Sequence, residues 1–251
     1  MQRSWRDATM RAAPDEKPVR LVPPLDALEP TMNQTIRRRR ILHAATCAVA
    51  ALAFPALAAS GRALPAMTDG PFYPPLAWRA RALDWDADLT IVRGNAPDGQ
   101  PQARAMGEHL DLYGLVQDAA GRVIDRCEVE IWQCDAFGSY RHPRGAGARV
   151  DAGFQGFGST RSDARGGYRF RTIRPVPYPG RTPHLHVKLR HASFGEVSSQ
   201  LFVAGEPGNA RDFLYQSLSD ADRAEVELRL QRAPTGAPVL WIAEQALTVS
   251  A

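Results

Sequence analysis

His184-Leu185-His186 sets two imidazoles two residues apart. In an extended run, residues i and i+2 leave the same face, so both rings can close on one metal ion. Such pairs also occur on surfaces and in cores, so the neighbours decide. Tyr178 stands six residues before His184 in a proline-rich loop, with Arg181 between them. Tyr140 ends the run Trp132-Gln133-Cys134-Asp135-Ala136-Phe137-Gly138-Ser139-Tyr140, and Gln200 lies sixteen residues beyond His184. A phenol with a pKa of about 10 is a poor ligand for zinc beside thiolates or imidazoles, whereas a hard trivalent cation deprotonates it. Two phenols with two imidazoles therefore point to Fe(III). A zinc hydrolase would want a carboxylate or a third histidine close to the His184–His186 pair, and the local sequence offers neither. His109 and His142 lack ligand spacing, and His191 falls on the opposite face of an extended run from His186. Asp135 reads as a loop tie, and Trp132 and Phe170 as core.

The elements that must position these residues are strands. Leu110–Val116, Cys127–Cys134, Tyr168–Ile173, His184–Arg190 and Ser199–Val203 alternate with a period of two. Turn signals lie between them: Asp118-Ala119-Ala120-Gly121, Gly166-Gly167, and the proline-rich loop Arg174–Gly180. Gly70-Pro71-Phe72-Tyr73-Pro74-Pro75 cannot be a central strand. One helix is expected near Asp220–Leu230, capped by Ser219. The expected fold is all-β: an antiparallel β-sandwich with long irregular loops and at most one or two short helices. Cys127 and Cys134 would sit roughly 20 Å apart along one strand and cannot bridge each other. The region after Pro207, including Trp241, offers no functional signal.

Four ordered runs together resemble the intradiol ring-cleavage dioxygenases, the group that includes protocatechuate 3,4-dioxygenase and catechol 1,2-dioxygenase. They are Gly70–Tyr73, Trp132–Tyr140, Ser162–Pro175 and Tyr178–His186, within roughly residues 69–207. The resemblance implies four iron ligands, Tyr140, Tyr178, His184 and His186. It implies that Arg181 stabilises charge on a bound catecholate with Gln200 beside it, and that Tyr73 lies near the substrate mouth. It further implies that a small aromatic diol and O2 react to give a cis,cis-muconate-type diacid. A ferric ion with two tyrosinates and a hydroxide is neutral, and so is one with a single tyrosinate and a catecholate dianion. Burial is tolerable in both states, and the resemblance makes Tyr178 the ligand that leaves. Pro179-Gly180 shortens the loop before His184 to five intervening residues, which looks like the extracytoplasmic branch of the family. The competing reading from another class is a noncatalytic exported β-sandwich binding module, which would not need both tyrosines with both histidines.

Charge argues against nucleic acid. The chain has 251 residues and a net charge of +4. Residues 1–59 hold nine basic and five acidic residues, which accounts for the whole excess, and residues 60–251 hold 22 of each. A neutral body has no field to steer it to DNA or an anionic membrane. Arg37–Arg40, the apolar Ala-rich stretch to residue 59, and Ala56-Leu57-Ala58 read as a signal peptide, and Arg38–Leu42 resembles a twin-arginine signal. The expectation is a leader over residues 1–59, a single domain over 60–251, an exported product, and no stable membrane span after cleavage. The sequence is compatible with a homo-oligomer.

Overall fold

The computed structural model describes residues 61–75, 84–93, 103–145 and 147–251. All of them belong to the compact unit Ala53–Ala251. The leader expected over residues 1–59 lies outside the described residues. Among them no helix is long and apolar enough to cross a membrane.

Twelve strands follow in chain order among these residues: β1 (Ile91–Val92), β2 (Ala103–Arg104), β3 (His109–Asp118), β4 (Glu128–Trp132), β5 (Phe157–Arg161) and β6 (Gly167–Ile173), then β7 (His184–His191), β8 (Gly195–Val203), β9 (Glu227–Leu228), β10 (Gln231–Arg232), β11 (Trp241–Glu244) and β12 (Leu247–Val249). In the first sheet β6 pairs antiparallel with one edge of β3, while β11 and then β12 pair parallel along its other edge, with β10 outside β11. The second sheet runs β5-β4-β7-β8-β9. The architecture is the expected all-β sandwich. Its pairing is mixed rather than purely antiparallel, because β9, β11 and β12 lie parallel to their neighbours. Strand β5 gave no sequence signal, since Phe157-Gly158-Ser159-Thr160-Arg161 does not alternate apolar with polar. Ser219 caps a helix by accepting from the Asp222 N–H, but that helix stops at Val226 because Glu227-Leu228 turn into β9 beside β8. A second short helix, Phe213–Gln216, follows a 3-10 segment at Pro207–Arg211.

The core lies between the sheets. Leu110, Leu112 and Val116 of β3 and Phe170 of β6 meet Val129 and Ile131 of β4, Leu185, Val187 and Leu189 of β7, and Leu201 of β8. Alternation turns the other residues of β7, namely His184, His186, Lys188 and Arg190, to the outer face of the second sheet. That face is covered rather than wet. A second apolar cluster of Trp132, Cys134, Tyr140 and Phe157 lies on it, with Phe72, Tyr73, Trp85, Val176 and Tyr178 packed against it. Cys127 and Cys134 are free and buried.

Candidate metal centre

Register sets the first row of the site. Trp132 faces His186, and His186 faces Gln200, across β4, β7 and β8. Directly opposed residues share a face, so all three side chains stand together under the covering loops. Trp132 stacks on His186 at a centroid distance of 4.8 Å with planes 11° apart.

Two loops bring the tyrosines. Tyr140 follows a turn tied by Asp135, whose Oδ1 accepts from the Phe137 and Ser139 N–H groups and whose Oδ2 accepts from Asp151. Tyr178-Pro179-Gly180-Arg181 closes a turn through the Arg181 N–H donating to the Tyr178 carbonyl at 2.9 Å. Gly180 has φ of 84°, and proline followed by a positive-φ glycine is the pattern of a type II turn. The short Pro-Gly loop therefore does geometric work: it reverses the chain so that Tyr178 and Arg181 both stand at the start of β7.

The four candidate ligands close into a ring of contacts. Centroids lie 5.5 Å apart for Tyr140 and Tyr178, 5.5 Å for Tyr178 and His184, 5.1 Å for His184 and His186, and 6.4 Å for His186 and Tyr140. His184 Nδ1 donates to the Thr182 carbonyl at 2.6 Å when it carries the proton, which leaves Nε2 with its lone pair. That Nε2, His186 Nδ1 and the Tyr140 hydroxyl are buried side-chain atoms with no hydrogen-bond partner. Native proteins rarely leave such groups unpaired. Three of them converging from one contact ring is what a site for an ion would leave. Burial, then Arg181, pushes the His184 pKa down to about 4, and burial, then His184, holds His186 well below its ordinary value. Both rings are neutral near pH 7, as metal ligands must be. Burial raises Tyr140 well above its ordinary value and also raises Tyr178, where Arg181 opposes the effect. These phenols ionise only if a strong cation arrives beside them. The donor set fits a hard trivalent ion. Among the described residues no group of three or more His, Cys, Asp and Glu side chains is arranged to hold a metal, so the His184–His186 pair has no third donor of those types beside it.

Arg181 is locked on three sides. Its Nε donates to Asp212 at 2.7 Å, one Nη to Gln200 Oε1 at 2.6 Å, and the other reaches the Tyr178 hydroxyl at 3.5 Å. Asp212 is fully buried at its side chain and also accepts from the Thr182, Leu214 and Tyr215 N–H groups. Thr182 is held in turn by Asn209 at 2.8 Å. Asn209 and Asp212, just before the short helix Phe213–Gln216, thus brace both Arg181 and Thr182, whose carbonyl orients His184. The sequence assigns no role to Asp212, nor to Thr182 and Phe72, although those two lie within the runs Tyr178–His186 and Gly70–Tyr73. An aspartate just before Phe213-Leu214-Tyr215 is an N-cap signal, but nothing in it points to Arg181. Tyr73 packs edge-on to Trp132 at 4.8 Å, and its hydroxyl donates to Glu130 and accepts from Arg190.

A family model described as Dioxygenase matches residues 92–235. The chain is 35% identical over 147 residues to the protocatechuate 3,4-dioxygenase beta chain of Burkholderia cepacia, a match covering 55% of this chain and 60% of that one. It is 30% identical over 130 residues to a catechol 1,2-dioxygenase of Acinetobacter baylyi, covering 43% and 40% respectively. These matches therefore span less than two thirds of either relative. Among solved structures, the dioxygenase domain of a dioxygenase carbohydrate-binding protein fusion from Streptomyces sp. SirexAA-E superposes with a TM-score of 0.53 at 24% identity, over 75% of this chain and 99% of that one. At that identity the likeness shows the fold.

Proposed function

The chain belongs to the intradiol ring-cleavage dioxygenase family, and from that premise we propose that it is an exported, ferric-iron-dependent enzyme that cleaves a catechol between its two hydroxylated carbons. The products would be cis,cis-muconate-type diacids, with both atoms of one O2 retained. The observation that carries the reading is the contact ring of Tyr140, Tyr178, His184 and His186, with three buried polar atoms left without partners.

When bound, ferric iron supplies the Lewis acidity and electron-accepting capacity that open a catecholate ring to attack by O2. The chain's own residues do the rest. His184 and His186 offer neutral nitrogens, and His184 is kept in its tautomer by the Thr182 carbonyl. Tyr140 and Tyr178 would hold the ion as phenolates. The family resemblance makes Tyr178 the phenol that would give way to substrate; it is less deeply buried than Tyr140, and the Arg181 guanidinium lies by its oxygen. Its freed oxygen would be placed to take up one catechol proton. Arg181, held by Asp212 and Gln200, keeps a fixed positive charge where negative charge develops on the ring. Trp132 and Phe72 exclude water from the histidine and tyrosine rings they cover. Export is supported by Arg37–Arg40 and the apolar stretch that follows.

The test is oxygen uptake by the purified, iron-loaded protein with a panel of catechol, protocatechuate, hydroxyquinol and substituted catechols, reading muconate absorbance. The loaded protein should be red-brown from tyrosinate-to-iron charge transfer and should consume one O2 per ring opened. A colourless, fully metallated protein that turns over none of them would favour the binding-module reading. N-terminal sequencing of the periplasmic product tests export, with a first residue near 59 expected.

A further inference from the structure

The segment before the first strand helps build the site. The Leu64 N–H donates to the Thr248 carbonyl and the Met67 N–H to the Ser198 carbonyl, each at 2.8 Å. The Ser199 hydroxyl donates to the Pro65 carbonyl at 2.8 Å, and Gln200 Nε2 to the Thr68 carbonyl at 3.3 Å. The arm therefore tracks β8 and then turns over β7. A Cβ built on Gly70 would lie 3.4 Å from His186 Cε1. Phe72 then stacks on Tyr140, with centroids 4.6 Å and planes 26° apart, and meets Tyr178 edge-on at 6.4 Å.

Between those contacts sits Asp69. Its Oδ2 accepts from Lys188 Nζ at 2.6 Å and its Oδ1 from the Ser198 hydroxyl. The Lys188 side chain is only 4% exposed and lies on the same face of β7 as His186, one pleat on. An ammonium at that depth needs a carboxylate. Glu196 supplies one at 3.1 Å and the Tyr73 ring lies 4.1 Å from the nitrogen, but of the two carboxylates only Asp69 comes from the arm.

The Tyr140 hydroxyl makes no well-formed hydrogen bond and faces only the Tyr178 hydroxyl on a neighbouring loop, so its own oxygen leaves the ring's orientation against the sheet to packing in the metal-free protein. Packing must select it, and the stacked partner is Phe72. We propose that Asp69 is a positioning residue: clamped between Lys188 and Ser198, it holds the arm in the register that lays Phe72 on Tyr140 and so aims the Tyr140 phenol at the centre shared with Tyr178, His184 and His186. The spectroscopic consequence rests on the iron reading above; the packing consequence does not.

Asp69→Ala and Phe72→Leu test it in the full chain. In iron-free protein labelled with 13C-tyrosine, with Tyr140 assigned through Tyr140→Phe, both variants should move the Tyr140 ring resonances. Asp69→Ala should also speed amide exchange at Met67 by roughly tenfold. In iron-loaded protein both should shift or weaken the visible tyrosinate band at unchanged iron content. Asp69→Asn, which keeps the side chain's size and one acceptor, should fall between wild type and Asp69→Ala and covers the case in which the alanine variant does not fold. Tyr140 resonances that stay at their wild-type positions in folded Asp69 variants overturn the proposal, whether or not the arm exchanges faster. If wild type shows no tyrosinate band but the resonances move as expected, the iron reading fails and the positioning role stands.

Discussion

The two faces of β7 bury residues to similar depth by opposite means. Leu185, Val187 and Leu189 face the core with no polar side-chain atom to satisfy. His184, His186 and Lys188 on the outer face are just as buried, and every one carries polar atoms. Within that outer face the contrast sharpens. At one end Lys188 and Arg190 are fully engaged, through Asp69, Glu196, Glu130 and Tyr73. At the other, His184 Nε2 and His186 Nδ1 have no partner. Depth alone therefore does not mark the site; unpaired atoms gathered in one contact ring do. Each such atom costs about 1–3 kcal/mol when nothing completes it. Gln155 Oε1 bears that cost singly elsewhere, but His184 Nε2, His186 Nδ1 and the Tyr140 hydroxyl bear it together in one contact ring, where a single ligand can remove all three.

The sharpest way to break this contrast is to remove one unpaired group. His186→Ala should abolish iron binding and colour, while the thermal midpoint of the metal-free protein changes little, since a buried polar group without a full set of partners is lost along with its stack on Trp132. Retained iron, measured by metal analysis, would show that His186 is not a ligand. On the inner face of the same strand, Leu189→Ala should do the reverse: about 2–5 kcal/mol of destabilisation in denaturant unfolding, with the visible band of the folded fraction unmoved. Arg181→Ala comes next. It deletes a charge that touches Tyr178 but is no ligand, so iron should stay while ring cleavage slows by roughly 100-fold. Loss of iron instead would make Arg181 part of the scaffold. Because Asp212 would be left buried without its cation, Arg181→Lys serves as the control for stability.

Legibility in the sequence followed range. His184 and His186 could be paired on a face because alternation is local, and the strands around Leu112, Ile131, Phe170 and Val187 were visible for the same reason. The tyrosines could be named from their type and from the surrounding runs, but no spacing rule says that Tyr140 meets Tyr178 across a 38-residue interval. What stayed hidden was long-range bracing. Asp212 holds Arg181 from 31 positions away and Asp69 holds Lys188 from 119, and each reads alone as an ordinary polar loop residue. β11 and β12 were hidden too, because Trp241–Glu244 and Leu247–Val249 are short and find their partner, β3, more than a hundred residues upstream.

The smallest effects expected come from two glycines beside Tyr178, Gly138 in the loop that carries Tyr140 and Gly180 in the turn after Tyr178, and they separate backbone conformation from contact. Gly138 has φ of 76° and Gly180 φ of 84°, so alanine at either should cost about 1 kcal/mol in backbone strain alone. Their surroundings differ. A Cβ on Gly180 would meet nothing within 4 Å, whereas one on Gly138 would lie 3.3 Å from both the Pro177 carbonyl oxygen and Tyr178 Cβ. Gly180→Ala should therefore lower the thermal midpoint slightly and leave iron affinity and the band where they were. Gly138→Ala should lower it by somewhat more and also weaken iron binding a few-fold, because relief of the contact moves the Tyr178 backbone away from His184. Titrating iron into both metal-free variants decides between the two causes. Equal losses of affinity would mean that the turn's conformation, rather than the touch of Gly138, sets where Tyr178 stands. A loss confined to Gly138→Ala would mean that the loop carrying Tyr140 also fixes Tyr178, so that the two tyrosines are positioned as one unit against the paired histidines.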